Sequence, residues 1–174
     1  MNLGRIRQFA VALGARLTET DRDFVRRWLT PEQRTLFFAM SVPDQYHALH
    51  VAYTARTLAA EWPGPVDEDL LTRAALLHDV GRRRGDLGTL GKSFAVLFAH
   101  FCSDRARAYG DAPEGSGLIE DKMRVYFHHA ELGAAMLASL GCGEEAAVVA
   151  AHHRAPSPED PPELRLLRMA DEKN

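Results

Sequence analysis

Apolar residues recur along this chain at three- and four-residue spacing, and alternating strand patterns are nearly absent, so the sequence predicts helices throughout. Leu3, Ile6, Phe9, Ala10, Leu13 and Leu17 form a first stripe. Thr20-Asp21-Arg22-Asp23 resembles a capping box that opens a short helix through Leu29. Thr30-Pro31-Glu32-Gln33 combines a cap, a proline at the first helical position and Gln three residues after the cap. Val42-Pro43-Asp44 marks the next boundary, followed by a helix from about Asp44 to Trp62 that Pro63-Gly64-Pro65 ends. Asp67 can cap a helix whose apolar run Ala74-Ala75-Leu76-Leu77 closes on His78-Asp79, with Gly81 as its stop. Further helices are expected at Leu90 to Tyr109, Ile119 to His128, Glu131 to Leu140 and Glu144 to His153, with Gly141 as a stop signal. Asp111 to Gly117 reads as a loop, and Pro156, Pro158, Pro161 and Pro162 stiffen another before a last helix from Glu163. No repeat, heptad or linker divides the chain. The expectation is one all-α domain, with residues 1–43 as an N-terminal helical extension packed on the body formed by 44–174.

Composition narrows the picture modestly. At 174 residues the chain can bury a core without staples. Hydrophobic residues at 46% and charged residues at 26% are ordinary for a soluble globular protein. A net charge of -3 gives no reason to expect nucleic acid as a partner. Cys102 and Cys142 lie far apart and read as reduced thiols, which points to a cytoplasmic protein. Arg5 and Arg7 within an amphipathic start argue against a signal peptide, and no apolar stretch approaches the roughly 20 residues of a membrane span. The stripe Leu90, Phe94, Leu97, Phe98 and Phe101 suits either core or a homodimer face.

The chemistry concentrates around His78-Asp79. Two polar side chains at the foot of a buried helix are costly to bury, and such a cost is usually tolerated for a site. His47 lies upstream, and His129, His152-His153 and Asp171 lie downstream. His47 shares a helix face with Val51, so that face can anchor through the valine while the imidazole looks inward. His78 and Asp79 diverge by roughly 100° about their axis, so they can approach one metal centre from two directions, or Asp79 can bridge two metals. Imidazole and carboxylate without thiolate favour Fe, Mn, Co or Zn in an open site over structural zinc. Seven such residues exceed the four that one ion needs, so two divalent ions per chain are expected. His100 and His128 read as ordinary core or surface residues. His50, three residues from His47, is ambiguous. In Arg82-Arg83-Arg84, the first arginine follows the ligand pair closely enough to grip a phosphate.

On these residues the chain resembles the HD superfamily of metal-dependent phosphohydrolases. The resemblance rests on His47-Ala-Leu-His50-Val51, Leu76-Leu77-His78-Asp79-Val80-Gly81, His129-Ala-Glu-Leu-Gly133, Ala151-His152-His153 and Met169-Ala170-Asp171. It implies an α-helical bundle with a central site. His129 and the His152-His153 pair look like the two-metal subgroup, which includes the cyclic-dinucleotide phosphodiesterases. The HD-GYP branch would carry a Glu after the His pair and then Gly-Tyr-Pro; here Arg154-Ala155-Pro156-Ser157 follows, so cleavage of cyclic di-GMP is not supported. The residue after the motif glycine is often Lys in that family and is Arg82 here, which keeps the charge but not the shape. The resemblance implies metal-assisted hydrolysis of a small phosphorylated substrate such as a nucleotide, with Asp79 and Arg82 as the catalytic pair. Two rival readings are a di-iron oxygenase and a metal-dependent ligand sensor on the same scaffold.

Overall fold

The computed structural model of the protein describes residues 16–82 and 103–174. Every regular element among them is helical: α1 Glu19–Trp28, α2 Pro31–Ala39, α3 Val42–Ala60, α4 Glu68–Leu77, α5 Ser103–Gly110, α6 Leu118–Ser139, α7 Gly143–Ala151 and α8 Pro162–Lys173. The fold class is all-α, as the spacing predicts. Of the helix expected from Leu90 to Tyr109, the part before residue 103 and its aromatic stripe lie outside the described residues.

Most boundaries follow from local chemistry. The α2 start forms the expected box: Thr30 accepts from Gln33 N, and the Gln33 side chain accepts from Thr30 N. The first box sits two residues earlier than Thr20. Thr18 accepts from Asp21 N and donates its own N–H to the Asp21 carboxylate. Both readings place an acid at workable spacing, and the observed one lets Leu17 join the core. Ser41, rather than a residue near Asp44, caps α3, so Pro43 falls in the first turn, where its missing N–H costs nothing.

The clearest departure is α6. Two helices broken near His128 were expected, and one continuous helix of 22 residues runs through them. No Gly or Pro interrupts residues 127–132, and the buried positions Met123, Ala130, Gly133 and Leu137 keep one face apolar across the expected gap. His129 therefore sits mid-helix, not at a helix start. Gly141, with φ +77, ends the element through paired bonds from Gly141 N to Ala138 O and from Cys142 N to Leu137 O.

The hub is α4. Leu71, Ala74, Ala75, Leu76 and Leu77 are fully buried, and α4 packs against α3, α7, α8, α1 and α2. At about 1.5–3 kcal/mol for each buried leucine, this short helix is held by its neighbours rather than by its own ten residues. A smaller core of Ala106 and Met123, flanked by Tyr109, Val125, Tyr126 and Phe127, joins α5 to α6. The C-terminal end of α4 thus emerges in the middle of the bundle, carrying His78-Asp79.

Candidate metal centre

Five elements bring the seven sequence-flagged side chains together. His47 comes from α3, His78 and Asp79 from the end of α4, His129 from mid-α6, His152 and His153 from the end of α7, and Asp171 from α8. They form two adjoining groups. In the first, ligand atoms of His47, His78 and Asp79 lie within 4.8 Å of one another. Asp171 Oδ1 borders it, 2.9 Å from His47 Nε2 and 3.7 Å from His78 Nε2. The second group is His129, His152 and His153. Asp79 joins the two: Oδ2 is 3.6 Å from His78 Nε2, and Oδ1 is 3.4 Å from His129 Nε2.

The backbone fixes which nitrogen each ring presents. His78 Nδ1 faces Ala75 O at 2.8 Å, His152 Nδ1 faces Val149 O at 2.6 Å and His129 Nδ1 faces Tyr126 O at 3.2 Å. A carbonyl can only accept, so each Nδ1 carries the proton and each Nε2 offers its lone pair to the centre. Two buried atoms there make no hydrogen bond, Asp79 Oδ1 and His152 Nε2. A buried lone pair without a donor costs about 1–3 kcal/mol. Inward-facing lone pairs on imidazole and carboxylate are the donor set a divalent cation takes, so these residues fit such an ion.

Charge is distributed to the same end. Burial holds the His129 and His152 rings neutral, with pKa values near 3, reinforced by Arg82 at His129 and by His78 at His152. Burial also lowers His153. Burial opposes the Asp79 charge, yet Arg82 and the surrounding histidines hold its carboxyl well below the usual range. Asp171 is likewise lowered against its burial by the hydrogen bond with His47, and the same bond raises His47. The second group thus offers neutral imidazoles at His129 and His152 beside the ionised carboxylates of Asp79 and Asp171.

Arg82 is half-buried over this centre, with Nη1 2.6 Å from Asp79 Oδ2 and Nη2 2.9 Å from His129 Nε2. Arg83, Arg84 and His100 lie outside the described residues. His50 belongs to neither group and packs at a tilt against Tyr46, ring centroids 4.2 Å apart. His128 is a surface residue 3.2 Å from Asp111.

One supporting set escaped sequence reasoning. Arg168, one turn before Asp171 on α8, donates to His152 O and Ala151 O, closing the exposed carbonyl end of α7. Buried Asp160 accepts from Arg168, Arg154 and Ser157 N. The only signal was an acid held between prolines, Pro158-Glu159-Asp160-Pro161.

Gly81 explains how the α4 end meets α6. A Cβ there would lie 2.0 Å from His129 O and 2.9 Å from Gly133 N. The two backbones touch, and Gly133 answers Gly81 across the contact.

Residues 45–173 match the family model described as HD domain, well over half the chain. No curated protein and no solved structure gives a match. Helices α1 and α2 precede the matched stretch and pack on α4. No helix among the described residues is long and apolar enough to cross a membrane.

Proposed function

The chain belongs to the HD-domain family, and on that premise we propose that it is a metal-dependent phosphohydrolase acting on a nucleotide or a related phosphate ester or anhydride. Such domains are mostly metal-dependent hydrolases, and the His and Asp groups here can hold divalent metal. The observation that carries the reading is the pair of buried atoms, Asp79 Oδ1 and His152 Nε2, that make no hydrogen bond at the junction of two ligand groups. His47, His78, Asp79 and Asp171 would hold one ion, and His129, His152 and His153 a second, with Asp79 between them. Divalent ions in such a centre supply Lewis acidity and a water acidic enough to attack near neutral pH.

The chain's own groups do the rest. Asp79 fixes the spacing of the two ligand groups. The neutral histidines keep their lone pairs available, and the Nδ1–H bonds to backbone carbonyls hold each ring in orientation. Arg82 carries the positive charge that faces non-bridging phosphoryl oxygens and follows their charge as it redistributes. Neither Ser nor Cys is called on as a nucleophile.

Metal quantitation of protein purified without chelator, followed by a screen of nucleotides, cyclic nucleotides, cyclic dinucleotides and dinucleoside polyphosphates, tests this. Metal-dependent release of a phosphorylated product is expected, and Asp79→Ala should abolish it by removing the shared carboxylate. Consumption of O₂ by iron-loaded protein without phosphate-bond cleavage would replace hydrolysis with oxygenation.

A further inference from the structure

Arg82 occupies an unusual place for a substrate-binding arginine. Its guanidinium does not point outward from the centre but spans the two ligand groups, one arm on Asp79 Oδ2 and the other on His129 Nε2. Because His129 Nδ1 is committed to Tyr126 O, Nε2 holds the only lone pair that ring can give. A single lone pair cannot accept from Arg82 and bind a cation together. His153 Nε2 is also within hydrogen-bond distance of the same atom, at 2.9 Å.

We infer that Arg82 is an internal counter-cation standing where the second ion must bind, so that this ion enters only by displacing the guanidinium from His129. The inference rests on the proposed metal centre and adds a regulation to it. Without a second ion, Arg82 balances the buried Asp79 charge, which would otherwise be costly. With the ion in place, the guanidinium is released toward the mouth of the centre, where an anion can take it up. Phosphate and the second ion therefore favour the same displaced Arg82 and bind cooperatively, each raising the affinity of the other by the same factor. The first group shares Asp79 with Arg82 but keeps His47 Nε2, His78 Nε2 and the bordering Asp171 carboxylate as donors that Arg82 does not hold, and so fills first.

Equilibrium titration with Mn²⁺, reading free ion by electron paramagnetic resonance, tests this without any activity measurement. The wild type should bind one Mn²⁺ tightly and a second more weakly. Arg82→Met, which keeps length and removes both donors, should tighten the second site by about tenfold or more, the scale of a hydrogen bond to a charged donor. Arg82→Lys keeps the charge but can hold only one of the two atoms, and should fall between. Inorganic phosphate should tighten the second ion by a larger factor in the wild type than in Arg82→Met. Arg124→Met, on an exposed pair with Glu114, should match the wild type. Equal second-site affinities in wild type and Arg82→Met, or Arg82→Lys indistinguishable from wild type, would overturn the displacement and leave the metal centre standing. Binding of no ion by either protein would overturn both.

Discussion

Gly81 shows how little room separates the centre from its frame. The atoms a Cβ would strike belong to the α6 backbone at His129, which cannot rotate aside as a side chain can. Gly81→Ala should therefore force α6 away from the His78-Asp79 turn, at about 1–3 kcal/mol, the usual cost of overpacking. Chemical denaturation reads that cost. Metal content should fall more at the His129 group than at the His47 group, since His129 is the residue displaced. The sequence made Gly81 legible as a stop after a buried helix, but not as a contact with a residue 48 positions later. The ligand-type residues were legible for a different reason: His and Asp beside apolar runs are expensive, and their cost is visible locally. Arg168 had no such signature. An arginine on a charged C-terminal helix looks like solvated surface, and its partners Ala151, His152 and Asp160 come from elsewhere in the chain.

Among the elements, the ends of α7 and α8 are tied by charge rather than by apolar packing. The Arg168 guanidinium, the Ser157 N–H and Arg154 lower the Asp160 carboxyl to a pKa of about 2, against an ordinary value of 3.8. A group with a depressed folded pKa adds stability above its unfolded value and loses it as pH falls through the folded one. The Asp160 contribution should thus be complete above about pH 5 and vanish between about pH 4 and 2. Asp160→Asn should lower the melting temperature near neutral pH. On acidification through that window its unfolding curve should converge with that of the wild type. A gap that stays constant with pH would assign the loss to packing instead. Helix identity was largely readable from spacing, and α1 to α4 add side-chain caps at their starts, with a proline as well in α2 and α3. The α6 join was not legible, because polar His128 and His129 interrupt the apolar spacing in sequence, whereas Met123, Ala130 and Leu137 continue the buried face through it.

At the scale of the whole molecule, the centre gathers contributions from residue 47 to residue 171, nearly the span of the family match. A cation bound only by the folded arrangement stabilises it by mass action, about 2.7 kcal/mol when free ion exceeds Kd a hundredfold. For a chain of this size that corresponds to roughly 5–10 °C in melting temperature. Scanning calorimetry with and without Mn²⁺ should show the rise, and Asp79→Ala should abolish most of it. His47 and Asp171 face each other across 124 positions of sequence at 2.9 Å. An ion shared near that pair would act as a reversible cross-link, restricting the unfolded chain as a disulfide does but without any sulfur chemistry. A chelator would then act on this protein as a reductant acts on a disulfide-bonded one: it would open a covalent-like loop, and the chain would become easier for a protease to unfold and cut.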